Sequence, residues 1–104
     1  MIVLNDLVDT ICDELFITRE EFFSASKKKE CHTARQFLFY ILYDEIGLSS
    51  SFIQKYMVMN SRDIARSTII DGVKSMSQKI DSNPLYASKL NQIKSSYEQR
   101  KINL

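Results

Sequence analysis

Two glycines and one proline, Gly47, Gly72 and Pro84, are the only strong backbone punctuation in a chain of 104 residues. An antiparallel sheet of several short strands needs a turn roughly every 8–12 residues, and those turns draw heavily on glycine and proline. This chain lacks the material, so a few long helices are the architecture it predicts. The length suits one domain, and a hydrophobic content of 44% is enough for one core. The expected fold is all-α, a compact bundle of five to six helices.

Hydrophobic spacing divides the chain further. Val3, Leu7, Val8, Ile11 and Leu15 recur along one face and predict an amphipathic helix over residues 3–14. Thr18-Arg19-Glu20-Glu21 has capping-box form, so a short helix carrying Phe22 and Phe23 is expected to start there. Ser24 to Lys29 breaks the apolar pattern and reads as a basic loop. Glu30 to Ile46 is the most apolar stretch: Ala34, Phe37, Leu38, Ile41 and Leu42 follow helical spacing, and Phe39, Tyr40 and Tyr43 widen the surface expected to be buried. This is the predicted core helix, with Gly47 as its left-handed cap. Serines 49 to 51 predict a cap for a short helix through about Tyr56 or Met57, with Phe52, Ile53 and Tyr56 inward. Val58-Met59-Asn60 is the expected turn. Ser61 or a close neighbour is expected to cap the next helix, striped by Ile64, Ala65, Thr68, Ile69, Val73, Met76 and Ile80. Asp81 to Pro84 ends it, because proline cannot continue a helix. A last helix over about 85–100 carries Leu85, Tyr86, Leu90, Ile93 and Tyr97.

Cys12 and Cys31 are too few for a disulfide framework and lack zinc-site spacing, so they read as buried thiols in a reducing compartment. The first residues carry no basic segment before their apolar run, which argues against a signal peptide. No stretch approaches the roughly 20 apolar residues of a membrane span. A soluble cytoplasmic protein without a membrane partner is expected. His32, the only histidine, sits beside Cys31, and neighbours in sequence point in different directions on a helix, so no metal site is predicted. The adjacent acids Glu20-Glu21 and Asp44-Glu45 do not face one another as a catalytic pair must. With no nucleophile and base set and no phosphate-binding glycine loop, neither enzyme activity nor a cofactor is expected.

The net charge of +1 conceals a segregation. Residues 1–24 carry a net −5, residues 25–66 a net +3 and residues 67–104 a net +3. The acids are gathered at the N-terminus, and the remainder is basic. Taken alone, such a balance describes either ordinary solvated charge or a surface for nucleic acid.

Six elements in order carry a family resemblance: Ile11-Cys-Asp-Glu-Leu-Phe-Ile17, Phe22-Phe-Ser24, Lys27-Lys-Lys29, Ala34-Arg-Gln36, Ser49 to Ile53, and Arg66-Ser-Thr-Ile-Ile70. Together they resemble the C-terminal duplex-binding domain, domain IV, of the bacterial replication initiator DnaA. The resemblance covers about residues 3–80, so residues 1–80 are expected to form a helix-turn-helix DNA-binding domain. Residues 81–104 are then a C-terminal helical extension packing on it. The family's recognition helix carries a run of the type Arg-Asp-His-Thr-Thr-Val, and the matching place here reads Ala65-Arg-Ser-Thr-Ile69. Arg66 replaces the histidine, and the preceding turn, Val58 to Ile64, is three or four residues longer. A second register sets Arg62-Asp63 against the signature's Arg-Asp.

The resemblance implies a double-stranded DNA partner and a role in replication or transcription control, with a replication or regulatory protein as a further candidate partner. It implies that the first turns of the second helix enter the major groove. Arg62 and Arg66, four apart, are expected there on one face, either able to fork onto a guanine. Ser67 or Thr68 would reach a phosphate or a thymine methyl, although Thr68 also sits near the apolar stripe and has an inward reading. Lys27 stands where the family has a minor-groove arginine, and Lys27, Lys28 and Lys29 are expected on phosphates. Arg35 and Gln36 match a pair used against the DNA backbone, with a plain solvent-exposed position as the other reading of Gln36. The competing hypothesis is a protein-interaction module that keeps the fold without binding DNA. Oligomeric state is left open.

Overall fold

The structure, a computed structural model, describes residues 2–102 as helices and their connections, with no strand among them. Six α-helices follow one another: α1 Leu4–Leu15, α2 Arg19–Phe23, α3 Lys29–Tyr40, α4 Ser50–Met59, α5 Arg66–Ser82 and α6 Pro84–Ile102. The expected all-α bundle is what forms. No helix in the described residues is long and apolar enough to cross a membrane.

The apolar stripe of α1 buries Leu7, Val8 and Ile11. Its end is closed by Phe16 in the left-handed region, φ 58°, with the Ile17 N–H donating back to the Cys12 carbonyl at 3.0 Å. That is the geometry glycine usually supplies at a helix terminus. At α2 the capping box forms reciprocally. The Glu21 N–H donates to Thr18 Oγ1 and the Thr18 N–H donates to Glu21 Oε1, each at 3.0 Å.

Helix α3 is the centre of the fold, packing on α1, α2 and α5. Its continuation does not stay α-helical: Ile41–Ile46 winds as a π-helix before the left-handed Gly47, φ 90°. The wider winding keeps Ile41 and Leu42 buried but turns Tyr43 outward to 40% exposure. Tyr43 therefore does not widen the core as its spacing suggested. A similar correction applies to Phe52 at 47% exposure and to Leu85 at 76%. Ile53 is fully buried.

The connection from α4 to α5 departs most from expectation. Ser61 does not cap α5; it ends α4. Its backbone is left-handed, φ 69°, its N–H donates to the Val58 carbonyl, and the Arg62 N–H donates to the Met57 carbonyl, both at 2.9 Å. These bonds satisfy the last carbonyls of α4. The chain then runs extended, with Ile64 buried and its carbonyl accepting from Gln54 Nε2 at 2.9 Å. Only at Ala65 does it turn into α5.

Helix α5 lies close against α3 because Gly72 faces the Phe39 ring. A Cβ at that position would stand 3.1 Å from Phe39 Cδ2. Helix α6 packs on α1 and α5, burying Leu90, Ile93 and Tyr97. The Tyr97 hydroxyl accepts the Val3 N–H at 2.8 Å and ties the two ends of the chain together.

Candidate nucleic-acid interface

Lys27, Lys28 and Lys29 are all exposed, the first two before α3 and the third as its first residue. Lys28 pairs with Glu21 at 3.1 Å. The Thr18 N–H and then the Lys28 ammonium hold the Glu21 carboxyl below the usual carboxylate range, while Glu21 raises Lys28. Lys27 and Lys29 make no ion pair among the described residues.

Arg35 is not on the surface. It is 5% exposed, and its donors are spent on backbone carbonyls of the preceding segment. Nε donates to the Phe22 carbonyl at 2.7 Å, and Nη2 donates to Ser24 at 2.9 Å and Ser26 at 3.2 Å. This corrects the expectation that Arg35 lies against phosphates. A guanidinium that reaches inward satisfies several carbonyls at once, and here it clamps the lysine loop to the core. Gln36 is corrected likewise. It is 6% exposed, its Nε2 bonds His32 Nε2 at 3.0 Å and its Oε1 accepts from Lys79 Nζ at 2.8 Å.

Arg62 lies in the extended connection, so it shares no helical face with Arg66, contrary to expectation, because α5 begins four residues later. It is half-buried, and its Nε is a buried donor without an acceptor among the described residues. Arg35, Gln36, Arg62 and Thr68 line one cleft of about 250 Å³ between α3 and α5, together with His32 and Asp71. Burial first, and then the nearby Arg62, push Arg35 down from the usual arginine range, with no carboxylate acting on it.

Arg66, Ser67 and Thr68 form the exposed first turn of α5. Thr68 therefore does not pack inward. The cap residue, Ala65, makes no side-chain capping hydrogen bond and the turn contains no acid. Since Thr68 and Ile69 N–H groups already donate to the Ala65 carbonyl, the N–H groups of Arg66 and Ser67 are left without a helical acceptor. Arg66 Nη1 rests on Ser51 Oγ of α4 at 3.0 Å.

Of the nine residues singled out from sequence, Arg35, Gln36, Arg62 and Thr68 line the cleft, and Arg66 and Ser67 precede Thr68 in its helical turn. Lys27, Lys28 and Lys29 do not line it; Arg35 binds the backbone just ahead of them. His32, Ser51, Asp71 and Lys79 belong to the same surroundings and were not singled out for it. Only His32 had a signal, its i, i+4 relation to Gln36. Among the described residues no cluster of three His, Cys, Asp or Glu side chains is placed to hold a metal ion. No known protein family matches the chain, and no curated protein matches it.

Proposed function

We propose that the chain is a double-stranded DNA-binding protein of the DnaA domain IV type, with α4 and α5 as its helix-turn-helix pair. The observation that carries this reading is the cleft in which Arg62 keeps a buried Nε without an acceptor, beside the open N-terminus of α5. Arg35 is held by backbone carbonyls, so the buried Arg62 Nε is the cleft's donor without an acceptor, and with Asp71 the one acid lining the cleft an anion arriving there supplies that acceptor. The free N–H groups and the dipole at the start of α5 favour the same occupant. A backbone phosphate meets these requirements. In this reading Arg66, Ser67 and Thr68 approach base edges in the major groove while Lys27 and Lys29 neutralise phosphates on the flank. Arg35 and Gln36 hold the loop and the cleft in shape. The setting is replication or transcription control in the cytoplasm, with both thiols reduced and no catalytic activity assigned.

The test is duplex binding by fluorescence anisotropy as a function of salt. Removing one phosphate-neutralising lysine should lower the slope of log affinity against log salt by about 1, so Lys27→Ala with Lys29→Ala should lower it by about 2. Arg66→Ala should flatten discrimination between duplex sequences by about 1–3 kcal/mol. Absence of binding at about 50 mM salt, or a slope indifferent to the lysines, refutes the reading.

A second reading, a protein-interaction module without duplex affinity, has one observation in its favour. Phe52 and Met59, seven apart and so on one face of α4, are 47% and 83% exposed. Loss of a protein partner on Met59→Glu, in a chain that binds no duplex, would select it.

A further inference from the structure

A second concavity lies on a different face of α3. Lys29, Thr33 and Phe37, spaced four apart, turn one stripe of α3 toward it, whereas His32, Arg35 and Gln36 turn toward the cleft described above. Its volume is about 420 Å³, and its other walls come from the end of α1 and the start of α6. The floor is apolar: Leu15, Phe37, Leu85 and Tyr86, with the Phe37 and Tyr86 rings 6.3 Å apart.

The polar groups around that floor are mostly donors. Lys29 and Lys89 bring ammonium groups, of which Lys89 spends one hydrogen on the Glu14 carbonyl at 3.3 Å. Asn83 Oδ1 accepts the Leu85 N–H at 3.0 Å, and its Nδ2 makes no hydrogen bond among the described residues. Glu30 is the one acid. Thr33 is the most telling. It is only 8% exposed, it lines the cavity, and its hydroxyl makes no hydrogen bond among the described residues. A buried helical threonine ordinarily donates to the carbonyl four residues back, as Thr10 does to Asp6 at 2.8 Å. The Thr33 hydroxyl forgoes this bond and stays open to the cavity, where a ligand acceptor can take it.

We propose that this cavity binds a small amphipathic carboxylate, its apolar body on Leu15, Phe37, Leu85 and Tyr86 and its carboxylate between Lys29, Lys89 and the Thr33 hydroxyl. The carboxylate offers acceptors to both ammonium groups and the hydroxyl, and charge-assisted bonds of this kind are the strong ones. The chain covers Leu85 poorly, and the ligand's apolar body completes its burial. A concave, mainly apolar site with a few convergent polar groups is the usual form of a small-molecule site.

The experiment titrates the full chain with octanoate, with octanol and inorganic phosphate as separate controls, following backbone amide shifts by NMR. Octanoate should bind saturably and move the amides of Thr33, Leu85 and Tyr86. Octanol and phosphate should each bind at least about tenfold more weakly, because each offers only half of the recognition. A Lys29→Gln, Lys89→Gln variant should lose about tenfold for octanoate and nothing for octanol. Thr33→Val, which keeps the shape, should weaken octanoate alone and serves where the double variant does not fold. Octanoate that fails to saturate, octanol that binds equally, or affinity indifferent to both variants overturns the proposal. Because no duplex is present, the outcome is independent of the DNA reading.

Discussion

Arg35 shows how a single charged side chain can be structural in a place where sequence suggests contact with a partner. Its guanidinium gathers carbonyls from Phe22, Ser24 and Ser26, and removing it orphans them in a buried setting. Arg35→Leu should therefore cost about 3 kcal/mol, read as a shift in urea midpoint, while exposed Arg66→Ala should stay within about 0.5 kcal/mol. The position was legible from Ala34-Arg35-Gln36, but its burial was not. Nothing in a linear sequence reports that a loop ten residues upstream turns its carbonyls toward this helix. Cys12 belongs at this scale too. Burial, and then Asp9, push its thiol from an ordinary 9.0 up to about 11. The folded state thus prefers the protonated thiol, so this contribution is complete below pH 9.0 and is lost as pH rises toward about 11. Urea denaturation at about pH 8 and about pH 10.5 should show that loss, reduced in Cys12→Ala, with half-buried Tyr56 adding to it from its own raised value.

Among the elements, those whose apolar period is long and whose caps are local were legible: α1, α2 with its reciprocal box, and the stripe of α5 from Ile69 to Met76. The start of α5 was not. A serine ahead of an apolar run is a good capping signal, yet Ser61 takes the left-handed conformation that closes α4. The two roles compete for one residue, and backbone bonds to Met57 and Val58 decide between them. The π-helical turn at Ile41–Ile46 was also invisible, since α and π winding draw on the same apolar residues and differ in where Tyr43 ends up. Gly72 offers the sharpest element-level test. Replacing it with alanine brings a helix-propensity gain of roughly 1 kcal/mol, which contact with the buried Phe39 ring opposes. Gly72→Leu gains nearly as much in propensity but drives a far larger side chain against Phe39, so it should separate α3 from α5, costing at least about 2 kcal/mol in chemical denaturation.

At the scale of the whole molecule, the segregated charge finds a structural use. Asp13 of α1 pairs with Arg100 of α6 at 2.7 Å, so part of the basic excess is turned toward the acidic N-terminus, whereas Asp9 pairs with Arg19 within the acidic segment at 3.0 Å. Such exposed pairs contribute about 0–1 kcal/mol each. The apolar seam between α1 and α6 matters more. Leu90, Ile93 and Tyr97 together bury on the order of 5–6 kcal/mol of hydrophobic stabilisation, comparable with the whole stability of a domain this size. Deleting the chain from Pro84 onward should abolish the cooperative thermal transition followed by circular dichroism. The Arg35 clamp also has a consequence for proteolysis. Three successive lysines on a surface are a natural first target for trypsin, which needs a segment that can unfold locally into its active site. Here the backbone just ahead of them is bolted to the core. Limited digestion of the native chain should leave the bonds after Lys27 and Lys28 intact for longer than their exposure alone suggests, with cleavage there appearing only as the whole domain opens.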